Sequence, residues 1–238
     1  MAIIMIRLDK FLADMGNGTR SEVKKIIRQG KVLVDGKMEK NPDAKIDENK
    51  QEVICNGELV TYTTFVYYML NKPAGVVSAT TDAKDKTVVD LIADKQRKDL
   101  FPVGRLDKDT EGLLLITNDG ELAHNLLSPK KNVDKVYYAR VEGKVTKEDE
   151  EAFFKGVSIG EEEITKPAVL EILKSDDISE IKLTIQEGKF HQVKRMFEAV
   201  GKKVIYLKRL SMGPLKLDEK LALGEYRLLT KEEIEQLC

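Results

Sequence analysis

The chain contains few of the residues from which disulfide frameworks and metal centres are built. Its 238 residues include two cysteines, Cys55 and Cys238, and two histidines, His124 and His191. The cysteines lie far apart in the sequence and do not suggest a disulfide framework, so we expect a reducing compartment. Neither histidine stands at a metal-ligand spacing from a cysteine, which argues against a structural zinc site.

The sequence also lacks a strong net charge and a long apolar run. Its formal net charge is −1, so any basic surface for nucleic acid must be local. Residues 2–6 are too short for the hydrophobic region of a signal peptide, and no run approaches membrane-spanning length. A hydrophobic content of 42% beside 34% charged residues is typical of a soluble globular protein of one or two domains. We therefore expect a cytoplasmic protein.

One segment near the N-terminus does carry an excess of positive charge. Residues 7–45 contain ten cationic and six anionic side chains, a local charge of +4. Apolar residues at helical spacing predict a first helix from Arg7 and a second over residues 20–28. A strand at residues 31–34 then leads into an Asp-Gly pair, which is a strong hairpin signal.

The second predicted helix has a basic face, because Arg20, Lys24 and Arg28 recur every four residues. Such a stripe suits contacts with RNA phosphates, although charge alone favours an ordinary solvated helix face. The order helix, helix and then KVLVDG resembles the S4 RNA-binding domain over roughly residues 5–50. This resemblance implies binding to structured RNA through shape and phosphate contacts. The candidate RNA-binding residues of this part are Arg7, Lys10, Arg20, Lys24 and Arg28.

The pattern changes after the polar stretch of residues 47–64, whose end we interpret as a hinge. We expect an S4 domain with its linker over residues 1–62 and a second domain over residues 63–238. Strands with helices between some of them predict an α+β fold with a mixed, mostly antiparallel sheet flanked by helices. The predicted strands cover residues 65–70, 113–116, 135–142, 168–173, 181–186 and 203–210, and the predicted helices cover 88–93, 121–127, 190–200 and segments starting near Thr146 and Thr230.

The stretch PVGRLDKDTEGLLLITNDG, residues 102–120, combines a charged turn with an apolar run. The run Leu113–Ile116 is bounded by turn residues and predicts a fully buried strand. Asp107 is therefore expected in a loop at the edge of a core, with Arg105 two residues away. A carboxylate held ionised by a nearby cation is a candidate nucleophile or base. The alternative is a polar turn whose aspartates cap backbone amides.

Four separated segments, taken together, resemble the RNA pseudouridine synthases of the RsuA/RluB family, most closely the small-subunit rRNA (RsuA) branch. They are Asn71-Lys72-Pro73-x-Gly75, Gly104-Arg105-Leu106-Asp107, Lys135-Val136-Tyr137 and EGKFHQVKRM at residues 187–196. The resemblance covers nearly the whole chain. It implies isomerisation of a uridine to pseudouridine, a reaction that neither gains nor loses atoms and needs no cofactor.

The resemblance implies a role for each motif. Asp107 would be the essential carboxylate, acting either covalently or by assisting glycosidic cleavage. Tyr137 would lie against the target base, although a core aromatic is the default interpretation for a tyrosine in a strand. Arg195 would keep Asp107 charged, because a guanidinium pairs with a carboxylate and does not deprotonate. Asp109 is interpreted as a turn cap, and His191 as a polar surface or RNA-contact residue.

The remaining motif residues are expected either to support the catalytic loop or to contact RNA. Asn71, Lys72, Pro73 and Gly104 are expected to support the catalytic loop. Further expected RNA contacts are Arg105, Gln192 and Lys194. We place Lys194 on RNA rather than on Asp107 because it lies about 100° from Arg195 around a helix.

The resemblance also implies the partner: 16S rRNA, within a small-subunit assembly intermediate, bound by a monomer. The target base would have to leave its stack to reach Asp107, at a cost of a few kcal/mol. Two alternatives stay open, namely a synthase of the same family that modifies 23S rRNA, and a non-catalytic S4-domain protein that binds RNA or assists ribosome assembly.

Overall fold

The computed structural model describes residues 5–160 and 164–237. The chain divides into two compact units, one reaching to Val66 and including Ala93–Leu100, the other formed by Tyr67–Ile92 and the chain from Phe101 onward. The domain boundary at residue 62 stays a prediction. Cys238 and residues 1–4, on which the expectations about a disulfide and a signal peptide depended, lie outside the described residues.

The first unit combines two helices with two small antiparallel sheets. Its elements are β1 (Met5–Arg7), α1 (Leu8–Asp14), α2 (Arg20–Arg28), β2 (Val32–Val34), β3 (Lys37–Met38), β4 (Lys45–Asp47), β5 (Val53–Cys55) and β6 (Glu58–Val60). Strand β1 pairs with β4, and the other four strands lie in the order β3-β2-β5-β6. Phe11, Leu12, Val23 and Ile27 close the core between the helices and the sheet.

The second predicted helix and the predicted hairpin turn of this unit are confirmed. Helix α2 begins at a capping box, in which the Thr19 amide donates to Glu22 Oε2 at 2.7 Å and the Glu22 amide donates to Thr19 Oγ1 at 3.3 Å. Asp35 and Gly36 form the turn between β2 and β3 with φ angles of 50° and 74°. A two-residue hairpin needs such left-handed backbone, which Asp tolerates and Gly adopts freely.

A later segment, Ala93–Leu100, is held in the first unit by Arg97. This side chain is 4% exposed and its guanidinium lies 2.6 Å from Asp99 and 3.4 Å from Asp14. It also donates to the carbonyl of Thr63 at 2.9 Å. Because a buried guanidinium needs such partners, these contacts explain why the segment groups with residues distant in sequence.

The second unit is built on one large sheet. Its elements are β7 (Tyr67–Lys72), β8 (Phe101–Pro102), β9 (Glu111–Thr117), α3 (Gly120–Leu127), β10 (Lys135–Glu142), α4 (Lys147–Lys155), β11 (Val169–Lys174), β12 (Ile178–Ile185), α5 (Gln192–Ala199), β13 (Lys203–Met212), β14 (Leu215–Lys216), β15 (Tyr226–Leu228) and α6 (Lys231–Leu237). The strands follow the order β11-β12-β10-β13-β9-β7-β15, with β14 on β13 and β8 on β9. Within the described residues β13 and β9 pair in parallel and the other neighbours are antiparallel. The expected α+β fold with a mixed, mostly antiparallel sheet is confirmed.

The apolar run at Leu113–Ile116 forms the centre of β9 and is completely buried. It lies between β7 and β13, and helix α3 packs Leu122 and Leu126 on the same core. Burial on both faces explains why this strand is a continuous apolar run rather than an alternating one.

Several predicted boundaries differ from the structure. Strand β7 does not end at Asn71-Lys72 but includes both residues, because they pair with Leu113 and Gly112 of β9. The helix predicted at residues 88–93 is a single 3₁₀ turn, Val89–Leu91. Helix α5 begins at Gln192 rather than Phe190, because His191 has left-handed backbone with φ of 48°. Across residues 5–160 and 164–237 no helix is long and apolar enough to span a membrane.

Candidate active site

The loop that carries Asp107 joins β8 to β9 and is tied to a neighbouring segment. The amide of Leu106 donates to Ser78 Oγ at 3.0 Å, and that hydroxyl donates to the Leu106 carbonyl at 2.8 Å. The amide of Gly75 donates to the carbonyl of Lys108 at 2.7 Å. Leu106 itself is 6% exposed, so the loop is pinned to the core directly before Asp107.

Lys72, at the end of β7, supports the same loop from within. Its side chain is completely buried, and Nζ donates to the carbonyls of Asp107 at 3.1 Å, Lys108 at 3.3 Å and Thr110 at 2.8 Å. It also donates to the carbonyl of Pro73 at 3.1 Å. Burial lowers the pKa of this ammonium to about 8, against the opposing effect of nearby carboxylates. The expected supporting role of Lys72 agrees with this geometry.

The carboxylate of Asp107 faces Lys194 of α5 and His191, the residue directly before that helix. Its Oδ2 lies 3.4 Å from Nζ of Lys194, and its Oδ1 lies 3.5 Å from Nε2 of His191. The Asp107 side chain is 27% exposed, so it is accessible from the solvent. This arrangement presents a partly open carboxylate beside a cation.

Lys194 also holds Asp109. Its Nζ lies 2.7 Å and 2.9 Å from the two carboxylate oxygens of Asp109. Burial alone lowers the pKa of Lys194, but the carboxylates of Asp109 and Asp107 outweigh it and raise that pKa above its usual value. The hydrogen bond from Lys194 in turn lowers the pKa of Asp109. The interpretation of Asp109 as a simple turn cap is therefore incomplete, because its carboxylate also helps to position Lys194.

The expected pairing of Arg195 with Asp107 is wrong. The Arg195 guanidinium donates to the carbonyl of Phe190 at 3.2 Å and to the carbonyl of Ile159. Val193, Met196 and Phe197 face the core, which fixes the rotation of α5. With that rotation Lys194 points toward Asp107, and Arg195, about 100° away, points toward the loop at Ile159.

Tyr137 lies on β10 at the floor of a cleft below Asp107. It is 7% exposed and stands directly opposite Arg209 of β13. Residues on opposite positions of paired strands project from the same face, so the two side chains are neighbours. Asp107, His191 and Tyr137 all line this cleft, which has a volume of about 710 Å³.

The cleft is strongly basic. Its lining includes the cationic side chains of Arg105, Lys108, Lys135, Lys189 and Arg209. Asp107 is the one carboxylate among the same lining residues. Such a charge distribution suits a polyanion, although the net charge of the chain is −1. The overall charge conceals this local basic surface.

Two predicted site residues are buried and form hydrogen bonds within the protein. Gln192, expected to contact RNA, is 4% exposed. Its Nε2 donates to Glu187 Oε1 at 2.9 Å and its Oε1 accepts from the Lys189 amide at 2.9 Å, so it braces the loop before α5. Asn71 is 3% exposed and its Nδ2 donates to the carbonyl of Leu221 at 2.8 Å, in agreement with a supporting role. The expectation for Gln192 is corrected because its amide oxygen and nitrogen are both bonded within the loop.

Gly104 occupies a position that requires a residue without a Cβ atom. Its φ is +77°, and a Cβ there would lie 2.9 Å from the Leu127 side chain. Pro73 follows the buried Lys72 and offers its carbonyl to it. The supporting role expected of Gly104 and Pro73 stays a prediction.

The predicted RNA-binding residues of the first unit differ in whether a carboxylate already neutralises their charge. Arg7 bonds to Asp9 and Asp43, and Lys10 lies 3.4 Å from Asp14. Lys24 lies 3.7 Å from the buried carboxylate of Asp9. Arg20 and Arg28 are exposed on α2, and no ion pair joins either one to another described residue.

Sequence reasoning missed Ser78, Lys135 and Arg209 as contributors to the cleft. Ser78 belongs to no recognisable motif and carries no signal. Lys135 stands out in the sequence only as the first residue of the tyrosine motif. Arg209 did leave a signal, because Lys208-Arg209 lies within a predicted strand and alternation forces one of two successive residues toward each face.

Comparisons with protein-family models identify both parts of the chain. The model described as RNA pseudouridylate synthase matches residues 66–199, and the S4 domain model matches residues 6–52. The first match includes the segments that carry Lys72, Asp107, Tyr137 and Lys194.

Individual relatives match over nearly their whole length. An uncharacterized RNA pseudouridine synthase of Bacillus subtilis, YtzG, is 52% identical over 98% of both chains. Proteins named ribosomal small subunit pseudouridine synthase A are 42% identical in Vibrio cholerae and 40% identical in Escherichia coli K12, over 96% of this chain and 98% of each relative. A crystal structure described as a pseudouridylate synthase superposes with a TM-score of 0.68, at 42% identity, covering 98% of this chain and 100% of the other.

Proposed function

Because the chain belongs to the RNA pseudouridine synthase family, in its RsuA branch, we propose that it converts one uridine of 16S rRNA to pseudouridine. The essential carboxylate in this proposal is Asp107. The observation that carries it is the position of Asp107 beside Lys194 in a basic cleft. The choice of 16S rRNA is supported by the small-subunit synthases that match 96% of this chain.

The chemistry assigns distinct work to these residues. The N1–C1′ bond of the target uridine breaks, the uracil turns, C5 joins C1′, and the proton lost from C5 is balanced by one gained at N1. Asp107 acts as nucleophile or as base at the sugar and base. Lys194 places a positive charge 3.4 Å from that carboxylate, the position first expected of Arg195, and attracts its negative charge.

Tyr137 supports the uracil while it is detached from the sugar. Its position at the floor of the cleft suits stacking against a base that has left its helix. Arg105, which is exposed at the rim, suits a phosphate contact. The basic cleft thereby helps to offset the few kcal/mol, roughly, that unstacking the base costs.

RNA affinity is shared with the S4 domain. Arg20 and Arg28 on α2 are the best available phosphate contacts there, since the other candidate cations already contact carboxylates. We keep a small-subunit assembly intermediate as the proposed form of the substrate and the cytoplasm as the place of reaction. We keep a monomer as the proposed active form.

The test is chemical mapping of pseudouridine in 16S and 23S rRNA, both free and in ribosomal particles, after incubation with wild-type protein and with Asp107→Asn. We expect one new pseudouridine in 16S rRNA with the wild type and none with the variant, at an RNA affinity within a few-fold. Asp177→Asn is the matched control, because Asp177 is exposed on the turn before β12, away from the cleft. A new site in 23S rRNA would contradict the choice of subunit, and equal product from the Asp107 variant would contradict the role of that carboxylate.

Absence of product in every RNA would contradict the proposal as a whole. The non-catalytic alternative predicts that result together with unchanged RNA binding by Asp107→Asn. Filter binding on the same samples separates it from a protein that has failed to fold.

A further inference from the structure

Two buried cations line the cleft and form no ion pair with a carboxylate of the described residues. Arg209 is 2% exposed and Lys135 is 6% exposed. Arg209 Nε donates to the carbonyl of Leu113 at 2.8 Å, and Lys135 Nζ donates to the carbonyl of Val133 at 3.0 Å. In residues 5–160 and 164–237 no ion pair joins either side chain to a carboxylate, and Nη2 of Arg209 is buried without a hydrogen-bond partner.

The two cations are also close enough to disfavour each other. Burial lowers the pKa of the Lys135 ammonium and the guanidinium of Arg209 lowers it further, while the carboxylate of Asp134, which forms no ion pair with it, acts in the opposite direction. Burying a charged group without a counter-ion costs free energy, and burying two of the same sign beside each other costs more. A ligand that supplies the missing negative charge would offset this free-energy cost when it binds.

The backbone is shaped to place Arg209 there. Lys135 and Val136 pair with Met212 and Ser211, but Tyr137 then pairs with Arg209, so Leu210 is an extra residue on β13. A shift of one residue exchanges the two faces of a strand. This bulge therefore turns Arg209 to the same face as Tyr137, where an unbroken register would have placed Leu210.

The other side of β13 secures the same residue. Arg209 pairs with Gly112 of β9, where a Cβ atom would lie 2.3 Å from the Arg209 carbonyl oxygen. The lack of a side chain at Gly112 permits this close backbone approach. Arg209 is thus held from both neighbouring strands with its guanidinium at the cleft.

We propose that Arg209 and Lys135 form an anion site that receives a phosphate group of the substrate RNA. The source of that phosphate rests on the proposed function. A guanidinium with a free Nη2 can donate to phosphate oxygens in the fork geometry that arginine presents, and an ammonium adds a second positive charge. The acceptors of a neutral uracil are carbonyl oxygens, which do not compensate two buried charges. Together with Asp107 above and Tyr137 beside it, the site fixes the strand so that the target nucleotide enters the cleft.

The first experiment needs no RNA and titrates inorganic phosphate against the thermal unfolding midpoint. The proteins are wild type, Arg209→Gln, Arg209→Lys, Lys135→Gln and the control Lys208→Gln, which removes the preceding cation of the same strand on the opposite face. Sodium chloride at equal ionic strength corrects for screening, and the control variant corrects for general stabilisation by phosphate.

We expect phosphate to stabilise wild type and Lys208→Gln more than chloride does. The apparent phosphate affinity should fall about tenfold or more in Arg209→Gln and Lys135→Gln, since hydrogen bonds to charged groups are among the stronger ones. Equal phosphate responses in all variants would overturn the site. If Arg209→Gln does not fold, Lys135→Gln and Arg209→Lys carry the comparison.

The second experiment identifies the source of the anion. Single methylphosphonates, which remove the charge of one phosphate, are placed around the target uridine of an oligoribonucleotide substrate. One position should weaken wild-type binding about tenfold and have little further effect on Arg209→Gln. Equal losses in both proteins at every position would overturn the assignment to RNA phosphate, and a change confined to kcat would favour stabilisation of the detached uracil instead.

A phosphate site without turnover on any RNA would contradict the proposed function alone, and turnover without phosphate discrimination would contradict this inference alone.

Discussion

Nζ of Lys194 lies 3.4 Å from Oδ2 of Asp107, while the guanidinium of the next residue, Arg195, bonds to the carbonyls of Phe190 and Ile159. Two adjacent cations thus have separate tasks. The ammonium of Lys194 lies beside the carboxylate of Asp107. The guanidinium of Arg195 instead joins Phe190, just before α5, to the loop at Ile159.

Lys194→Met should reduce kcat strongly, by about 10- to 150-fold, the equivalent of one hydrogen bond to a charged group. Arg195→Gln should mainly lower the unfolding midpoint, because it removes bonds to two carbonyls. Single-turnover kinetics and thermal unfolding of the same samples check both. Lys194→Arg should restore part of the activity. The reverse pattern, with kcat lost only in Arg195→Gln, would return the electrostatic role to Arg195.

Lys72 predicts opposite pH trends for activity and stability. Its pKa is lowered to about 8 from a usual 10.5, chiefly by burial, so the folded protein loses this proton before the unfolded chain does. Between these values the unfolded state binds more protons, and the free energy of unfolding should rise with pH on account of this group. Loss of the ammonium also weakens its bonds to the carbonyls of Asp107 and Thr110, so kcat should fall above about pH 8.

The measurements are kcat and urea unfolding from pH 7 to 10, with RNA affinity as the control. Lys72→Met should be destabilised by about 1–3 kcal/mol or more, since it leaves buried carbonyls without a donor. It should also lack the rise in stability seen in wild type. Parallel pH trends in wild type and Lys72→Met would show that another group is responsible.

The exposed face of α2 predicts a salt-dependent part of RNA binding. Replacing Arg20, Lys24 and Arg28 by glutamine should weaken binding and reduce the slope of log affinity against log salt, by roughly 0.7–0.9 for each phosphate that is no longer neutralised. The control replaces three exposed lysines that lie near carboxylates, Lys50, Lys155 and Lys174. It changes the net charge equally, so the same slope in both triple variants would contradict a specific role for α2.

Phe190 predicts a contribution from base stacking at the rim of the cleft. It is 70% exposed and its ring stacks on His191, with ring centroids 3.8 Å apart. Phe190→Ala should raise KM by about 5- to 150-fold if a base adds to this stack, because base–aromatic stacking is worth about 1–3 kcal/mol. Phe190→Trp should retain affinity.

Phe154→Ala is the matched control for Phe190. Phe154 is 67% exposed on α4 and does not line the cleft. Steady-state kinetics on an RNA fragment compare the two. Equal KM values for wild type and Phe190→Ala would remove Phe190 from the RNA contacts.

Much of the fold follows from local sequence signals. The run Leu113–Ile116 is the buried strand that its composition predicts, and Asp35-Gly36 forms the predicted hairpin turn. Thr19 and Glu22 cap α2 by contacts within one turn of the chain. These features depend on backbone preferences and on neighbours close in sequence, so a sequence without relatives is enough to predict them.

The roles of individual side chains were harder to predict. Gln192 stands in a motif expected to meet RNA, yet its amide is bonded to Glu187 and Lys189 within the loop. Asp109 has the sequence context of a turn residue, yet its carboxylate binds Lys194 on α5. Both outcomes depend on which segments pack together, which short-range patterns do not encode.

The sequence alone determined the segments from which the site is built: a turn holding Asp107 before a buried strand, Tyr137 on an alternating strand, and a helix beginning near Gln192. Only the tertiary structure decided which charges meet. The rotation of α5, set by the burial of its apolar face, directs Lys194 rather than Arg195 to Asp107. The bulge at Leu210 directs Arg209 into the cleft. Strand register and helix rotation depend on packing between residues distant in the chain, and each changes the direction of a side chain without changing any local motif.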